Sequence, residues 1–336
     1  MNSTLLFDSL TDKARKIFDF ANAIGRSNQY GPVVRAGLMV SAAALSVRAV
    51  NRFLNDRALN HGTKASFDWS QEIVIVTGGS GGIGGETVKR LAAAGTTVVV
   101  LDILPLSFQK PSNVHYYKCD LTSFEELKAV AAKLRIEVGE PTIIVANAGI
   151  CRGKPILNAE ERDIELTFGV NTLGLLWTAK TFLPSLASHN HGHFLIVASQ
   201  TSYLATAGAT DYCASKAAAL AIYEGLHSEV KHVYKSPAVR VSCVCPSHVQ
   251  TAMFTGIKNV PGMASITPQT LAATIESILK SGRAHNLTVP SSVGISTLIR
   301  ALPDWIRVLV QDLSATAFSS LKPRDEVAQR SKSSGM

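Results

Sequence analysis

"IVIVTGGSGGIGGETVKRLAAAG" (residues 73–95) is the stretch that decides the fold. An apolar, β-branched run ends in a glycine-rich turn, and the turn leads directly into an alanine-rich helical pattern. Glycines at 78, 82 and 84 lack the Cβ atoms that would keep the backbone away from a pyrophosphate. The helix that follows directs its first N–H groups and its positive dipole end at the same place. Strand, turn and helix together are a strong signal for a dinucleotide site.

The next apolar run, "TVVVLDI", ends at Asp102. This acid stands about 20 residues beyond the glycines, where a carboxylate accepts hydrogen bonds from the adenosine ribose and repels a 2′-phosphate. No Arg or Lys lies in the glycine turn or directly after Asp102. The pattern therefore favours NAD, with NADP as the alternative.

Apolar runs and helical stretches alternate from about Trp69 to Pro290. Further strand-like runs are "TIIVANAG", "HFLIVAS" and "RVSCVCP". Such alternation implies crossover connections and a parallel sheet covered on both faces, and nearly continuous Val/Ile runs fit strands buried on both sides. We predict an α/β fold: a Rossmann-type doubly wound parallel sheet in a single domain with N-terminal and C-terminal apolar extensions.

The predicted division is an N-terminal extension at 1–68, a catalytic domain at 69–290 and a helical tail with a solvated C-terminus at 291–336. Within the first part, "AGLMVSAAALSV" lies between Arg35 and Arg48 and is shorter than the roughly 20 residues that span a bilayer. Residues 31–50 reach that length only if both arginines extend toward the headgroups. For residues 31–50, both a membrane anchor and a helix packed on the domain therefore remain as interpretations.

The tail contains "LIRALPDWIRVLVQDL", in which apolar residues recur at helical spacing and Pro303 breaks the pattern or starts its second half. One interpretation is a helix that caps the core. The favoured one is an amphipathic helix on a membrane or over an apolar substrate pocket, because Trp305 with Arg300 and Arg307 suits a bilayer interface.

Composition narrows the function classes. Hydrophobic residues make up 46% and charged residues 17%, as in a globular protein. The net charge of +8 could favour an anionic membrane surface, but no dense Lys/Arg run with aromatics appears, so nucleic acid is not an expected partner. The five scattered cysteines contain no C-x-x-C pair and indicate a reducing compartment. "HNHGH" reads as a turn, and no metal is expected.

"TDYCASKAAALAIYEGL" places Tyr212 and Lys216 four residues apart on one helix face. Free tyrosine, with a pKa of about 10, is a poor base at neutral pH. A nearby ammonium, together with an oxidised nicotinamide, is expected to lower the pKa of Tyr212. The pair is therefore predicted to transfer a proton.

From about Trp69 to Thr251 the chain resembles the short-chain dehydrogenase/reductase family, with "TGGSGGIG", "CDL", "NAG", "VNTLG", "IVAS", "YCASK" and "CPSHVQT" in the family's order. The resemblance implies that the catalytic residues are Asn171, Ser199, Tyr212 and Lys216, of which Ser199 and Tyr212 also bind substrate. It implies that the cofactor-binding residues are Gly78, Ser80, Gly82, Ile83, Gly84, Asp102, Asp120, Leu121, Asn147, Ala148, Gly149, Tyr212, Lys216, Val249 and Thr251.

By the same resemblance, Asp120 meets the adenine and residues 249–251 approach the nicotinamide carboxamide. Ser199 would hydrogen-bond the substrate oxygen, and Asn171 would hold a water in a proton relay. The family usually has glycine where this chain has Ser247. A modest change of backbone is expected there.

"NTLGLLWTAKTFLPSL" and "TAMFTG" further resemble the membrane-associated branch that contains retinol dehydrogenases and 17β-hydroxysteroid dehydrogenase-like lipid-droplet enzymes. This implies an NAD(P)-dependent oxidoreductase that interconverts an alcohol and a carbonyl on a retinoid, steroid or long-chain lipid. It also implies a homo-oligomer on the cytosolic face of the endoplasmic reticulum or a lipid droplet, or otherwise in the cytoplasm. The alternatives are an NADPH-dependent tailoring reductase, a catalytically idle nucleotide-binding scaffold at a lipid surface, and an interaction module that uses the tail.

Overall fold

The computed structural model describes residues 31–322 together with Arg15, Lys16 and Asp19. The predicted solvated C-terminus after Lys322 lies outside the described residues. Contacts divide the chain into two compact units, residues 1–62 and residues 63–336.

In the first unit, the described residues include the long helix α1 (Gly31–Leu59). The next residue, Asn60, donates its side-chain amide to the carbonyl of Asp56 at 2.8 Å. Several apolar side chains of α1, among them Val40 and Val47, are exposed. Within the described part of the chain, no helix combines the length and the apolarity needed to cross a bilayer.

The second unit is built on seven parallel strands in the order β3-β2-β1-β4-β5-β6-β9. Its strands are β1 (Ile73–Thr77), β2 (Thr97–Asp102), β3 (Val114–Lys118), β4 (Ile143–Ala146), β5 (His193–Val197), β6 (Arg240–Pro246), β7 (His248–Val249), β8 (Ser265–Ile266) and β9 (Asn286–Val289). Its α-helices are α2 (Gly82–Ala93), α3 (Phe124–Glu137), α4 (Glu161–Phe168), α5 (Gly174–His189), α6 (Thr210–His232), α7 (Pro268–Ser281) and α8 (Asp304–Ser314). Strands β7 and β8 form a separate parallel pair.

The core consists of two apolar layers, one on each face of the sheet. Alternate strand residues serve alternate layers: Val74 and Val76 pack with α2 and α7, whereas Ile75 packs with α3, α5 and α6. This is why the strand sequences are apolar at nearly every position. The predicted α/β doubly wound sheet is confirmed.

Because all strands of the sheet are parallel, their carboxyl ends meet at one edge. Strand β1 pairs with β2 on one side and β4 on the other. The chain passes from β1 to β2 and β3 on one side, and then crosses to β4 on the other side. This reversal of strand order beside β1 opens a crevice at this edge. The glycine turn after Thr77 and the "NAG" segment after Ala146 both lie there.

The tail forms a 3₁₀ helix, Ser291–Ala301, followed by α8. Pro303 immediately precedes α8, so the division of the periodic pattern at this proline is observed. Because Pro lacks a backbone N–H, it suits the start of a helix and not its interior.

Candidate active site

The glycine turn is shaped by close backbone approaches. Gly78 has a φ of +63°, and a Cβ added to it would lie 2.9 Å from the Cα of Ala148. A Cβ added to Gly84 would lie 2.2 Å from the carbonyl oxygen of Gly78. Helix α2 therefore packs directly on the turn. Its N-cap is Gly81, and no described side chain caps the first amides of the helix, so these donors face the edge where an anion can bind.

Asn147 holds the turn from the neighbouring strand. Its side-chain amide donates to the carbonyls of Thr77, at 3.0 Å, and Gly78, at 3.2 Å. In return the hydroxyl oxygen of Thr77 accepts from the backbone amides of Asn147 and Ala148, both at 3.0 Å. Of the predicted cofactor residues, Asn147 thus acts on the shape of the turn.

Asp102 lies against the turn at the end of β2. One carboxylate oxygen accepts from the amide of Ser80 at 2.9 Å and the other from the amide of Leu104 at 3.0 Å. The Ser80 hydroxyl donates to the Leu104 carbonyl at 2.6 Å. The predicted residue Ile83 is half-buried and packs on the apolar layer of α2 and α7.

The turn after β3 carries the two other predicted adenine-side residues. Asp120 accepts from the amide of Thr122 at 2.9 Å and from its hydroxyl at 2.8 Å. Leu121 is buried and lines a cavity at the carboxyl edge of the sheet. Other residues that line this cavity are Thr77, Ala148, Asn171 and Lys216.

These features fit a dinucleotide. The glycine turn leaves no room for side chains at Gly78 and Gly84, the N-terminus of α2 presents free donors, and Asp102 stands at the end of the adjacent strand. The pyrophosphate would be held by the turn and α2, and the adenosine ribose by Asp102.

Asn171 lies where α4 widens into a π-helical turn, Gly169–Leu173. Its side-chain oxygen accepts from the amide of Ile150 at 2.8 Å, and its nitrogen donates to the carbonyl of Ile150 and to the Ser215 hydroxyl, both at 2.9 Å. Such π-turns are frequent at functional sites. Asn171 thereby joins the segment after β4 to helix α6.

Lys216 is buried, and its ammonium donates to the carbonyl of Val197 at 3.0 Å. The nitrogen lies 6.0 Å from the centre of the Tyr212 ring. A Cβ added to Gly149 would come within 3.2 Å of this nitrogen, so glycine leaves space for the ammonium. Burial lowers the pKa of Lys216 to about 8.

Tyr212 and Ser199 meet at the start of α6 and the end of β5. Burial, the largest influence, raises the pKa of Tyr212 above its usual value, and the neighbouring Ser199 hydroxyl lowers it by less. In the protein alone, apolar side chains enclose the phenol, and their desolvation effect is larger than that of Ser199. The lowered pKa expected with an oxidised nicotinamide bound stays a prediction for that complex.

The segment after β6 reaches back toward the glycine turn. Val249 is buried in β7, and the methyl of Thr251 would lie 3.6 Å from a Cβ on Gly82. Ser247 adopts no left-handed backbone, and its hydroxyl oxygen accepts from the amide of Ala264 at 3.1 Å. Serine at this position therefore adds a tether that glycine lacks.

Two aromatic residues beside Tyr212 were missed by the sequence analysis. The ring centre of Phe254 lies 6.0 Å from that of Tyr212 and the ring centre of Phe318 lies 6.5 Å from it. With Cys151, Cys213 and other apolar residues they form one cluster. No motif marks them, since the contacts join segments about 40 and 100 residues away from the tyrosine along the sequence.

The histidine-rich turn has other roles. His191 interacts with Glu72 at 3.1 Å, and His193 is buried in β5 with Ser242 at 2.8 Å. Among the described residues, no group of three His, Cys, Asp or Glu side chains could hold a metal ion.

Residues 72–260, more than half of the chain, match the family model described as "short chain dehydrogenase". The chain belongs to this family. Its members act on alcohol and carbonyl groups with NAD(P), and the protein is an oxidoreductase of this kind. The seven-stranded fold agrees with solved structures: a short-chain dehydrogenase from Streptomyces avermitilis aligns with a TM-score of 0.60 at 21% identity, covering 73% of this chain and 97% of that one.

Several curated relatives carry names of the predicted branch. Dehydrogenase RED2 of Cochliobolus heterostrophus is 38% identical over 62% of this chain and 79% of its own length. Epidermal retinol dehydrogenase 2 of Homo sapiens is 34% identical over 59% of this chain and 66% of its own length, just under two thirds. Estradiol 17-beta-dehydrogenase 11 of Pongo abelii is 29% identical over 72% of this chain and 83% of its own length. The resemblance to the retinol and 17β-hydroxysteroid dehydrogenase branch is confirmed.

Gly84→Ala tests the packing of α2 on the turn. The added methyl would overlap the Gly78 carbonyl, so the turn must shift, and we expect the affinity for NADH to fall at least about tenfold. The measurement is a titration followed by NADH fluorescence. Gly225→Ala is the matched control, because nothing lies within 4 Å of a Cβ at that helical position. Equal losses in both variants would contradict the assignment.

Proposed function

We propose that the protein is an NAD-dependent dehydrogenase/reductase that interconverts an alcohol and a carbonyl on a lipophilic small molecule, with Tyr212 as the proton-transfer group. The observation that carries the proposal is the placement of Tyr212 beside Ser199 and Lys216, within an apolar cluster and at the same sheet edge as the glycine turn.

The roles of the residues follow from their contacts. A bound nicotinamide would supply or accept the hydride. Ser199 lies close enough to Tyr212 to lower the pKa of the phenol, so a substrate oxygen can contact both hydroxyls. Tyr212 would give its proton to a carbonyl or take one from an alcohol. The Lys216 ammonium favours the phenolate, and Asn171 fixes the backbone on which these groups stand.

The raised pKa of Tyr212 suits the reducing direction, because a phenol that keeps its proton can donate it to a carbonyl oxygen. In the oxidising direction the phenolate is required. Ser199 and the Lys216 ammonium are the two neighbouring groups that stabilise it.

The substrate class is inferred from the surroundings of Tyr212. Residues of its cluster include Cys151, Cys213, Phe254, Phe318 and Leu321, all apolar in character. Such a lining favours a hydrocarbon body attached to the reacting oxygen. The names of two relatives, a retinol dehydrogenase and an estradiol dehydrogenase, refer to alcohols of this type. The NADPH-dependent tailoring reductase is the second candidate, since its catalytic residues would be the same.

NAD is proposed over NADP because of Asp102. Its carboxylate lies at the end of β2 and bonds the Ser80 amide of the glycine turn, which is where a 2′-phosphate would have to sit. A negative charge there opposes the phosphate.

A lipid surface is proposed as the working environment because the tail exposes an apolar face. The exposed residues of this face, on the 3₁₀ helix, α8 and the link between them, are Ile295, Leu298, Leu302, Trp305, Leu309 and Leu313. None of the residues of α8 is buried, which argues against a helix that only caps the core. An exposed apolar face of this kind marks an interaction site.

Tyr212→Phe tests the proton-transfer role. Removal of the hydroxyl should lower turnover about 10²- to 10⁴-fold while the affinity for NADH stays within about threefold. The assay follows absorbance at 340 nm with retinol, steroid and long-chain alcohols plus NAD, and with the matching carbonyls plus NADH or NADPH. Wild-type rates in the variant would refute the role. Cofactor binding without wild-type turnover of any substrate would favour the idle scaffold.

Asp102→Asn tests the cofactor preference. Loss of the charge should improve NADPH binding relative to NADH about tenfold, because the 2′-phosphate is no longer repelled. Dissociation constants for both nucleotides are measured by fluorescence. Asp68→Asn, a change at an exposed acid, is the control. An unchanged ratio would show that Asp102 does not select the nucleotide.

The double change Trp305→Ser and Leu309→Ser tests the lipid surface. Each residue is exposed, so the fold should persist, and the fraction that sediments with phosphatidylcholine/phosphatidylserine vesicles should fall at least about threefold. Ile136→Ser, an exposed apolar residue of α3, is the control. Equal sedimentation of all three proteins would count against a role for α8.

A further inference from the structure

The segment after α8 lies across the tyrosine. We name residues 315–322 the C-terminal strap. Its residues Ala317, Phe318 and Leu321 are buried in the cluster that contains Tyr212. The Phe318 ring stands 6.5 Å from that of Tyr212 and 6.4 Å from that of Phe254, measured between ring centres.

Backbone hydrogen bonds fasten the C-terminal strap to the loop that follows Thr251. The amide of Lys258 donates to the carbonyl of Ala317, and the amide of Lys322 donates to the carbonyl of Thr255, both at 2.9 Å. The two bonds lie on either side of Phe318. They hold the strap at two points and leave the phenylalanine side chain between them.

Three glycines from three separate loops make room for the C-terminal strap. A Cβ on Gly256, whose φ is +88°, would lie 2.2 Å from the carbonyl oxygen of Ser320. A Cβ on Gly153 would lie 2.2 Å from Leu321 Cδ2, and one on Gly208 would lie 3.3 Å from Phe318 Cβ. Loops of such different origin share one property, the absence of a side chain where the strap passes. The three loops therefore form a groove shaped for the strap, which we call the seat of Phe318.

With the C-terminal strap in place, the reacting groups are closed off. Tyr212 is 4% exposed and Ser199 8% exposed, yet a substrate oxygen must reach both hydroxyls. The rings of Phe254 and Phe318 cover the apolar side of Tyr212. An apolar substrate body therefore needs the space that one of these rings fills. Phe318 is the one carried by the strap, between its two backbone hydrogen bonds to the loop after Thr251.

The geometry points to Phe318 as the specificity-determining residue: its ring occupies the subsite of the substrate's apolar body, and the C-terminal strap lifts as that body enters. This inference rests on the proposed function for its substrate and deepens it. Alcohols whose apolar body is large enough to replace the contacts of Phe318 gain access to Tyr212, whereas small alcohols leave the ring in its seat.

Thiol labelling tests the seat without substrate or cofactor. Cys151 and Cys213 lie in the cluster under the C-terminal strap, whereas Cys119 lies in the apolar layer of α3, α5 and α6. All are free and buried. In the full chain, Phe318→Ala should raise the rates at which N-ethylmaleimide modifies Cys151 and Cys213 at least about tenfold, with Cys119 changed less than about twofold. Rates are read peptide by peptide by mass spectrometry.

Leu309→Ala, on the exposed face of α8, is the matched control and should leave all three rates unchanged. Phe318→Leu keeps part of the apolar contact and should give intermediate rates for Cys151 and Cys213. Unchanged rates at these two cysteines in both Phe318 variants would overturn the inference. So would a rise at Cys119 as large as theirs in both variants, because the ring would then stabilise the whole domain and not a local seat.

Substrate profiles give the second test. With alcohols of increasing bulk from hexanol to retinol and a steroid, Phe318→Ala should raise kcat/KM for the short alcohol relative to the bulky ones at least about tenfold, since entry no longer requires displacement of the ring. Phe318→Trp should shift the ratio the other way. An unchanged ratio in both variants would overturn this inference while turnover by the wild type upholds the proposed function. A wild type silent with every alcohol would refute the proposed function and leave the labelling result to decide about the seat.

Discussion

The position of helix α2 against the glycine turn depends on a backbone contact between Gly84 and Gly78 that leaves no room for a side chain. Gly84, in the first turn of α2, touches the carbonyl of Gly78 so closely that an added Cβ would lie 2.2 Å from it. The same Cβ would also lie 2.6 Å from the Asn147 amide nitrogen. This contact fixes helix, turn and β4 together, and it places the uncapped amides of α2 at the edge where all strands of the main sheet end. The proposed nucleotide site and the proposed proton-transfer site are neighbours because they share that edge.

A second set of contacts fixes helix α6, which carries the proposed proton-transfer groups Tyr212 and Lys216. The Thr167 hydroxyl and an Asp211 carboxylate oxygen are 2.9 Å apart, and the Asn171 amide reaches Ser215 at the same distance. The two hydrogen bonds lie one helical turn apart and enclose Tyr212 in the sequence. They join α4 and its π-turn to α6, so the side chains of α6 are oriented by a neighbouring helix. Burial opposes the charged form of both Tyr212 and Lys216: it raises the pKa of the tyrosine and lowers the pKa of the lysine.

The sequence was sufficient to predict the fold and the position of the glycine turn at the end of β1, because those features depend on local patterns. The glycine turn, its flanking strand and helix, and Asp102 stand within 30 residues of one another. The direction of the Tyr212 pKa could not be predicted in this way, since it depends on burial by segments far along the chain. The same is true of the Phe318 seat, which three loops create together, and of Asn147, whose amide is committed to the turn only because β4 lies beside β1. For Ser247, the sequence shows that serine replaces the family's usual glycine, but it does not show that the serine hydroxyl accepts a hydrogen bond from the amide of Ala264.

The internal hydrogen bonds of Asn171 and Lys216 have a consequence for how a reaction would proceed here. Both side chains already have partners in the protein alone: Asn171 bonds Ile150 and Ser215, and Lys216 bonds the carbonyl of Val197. The loss of rotamer entropy that fixes them is therefore incurred during folding and is not repeated at each catalytic cycle. In such a site the groups around the reacting oxygen move little during turnover. The main conformational change in each cycle is then expected in the C-terminal strap, which covers Tyr212.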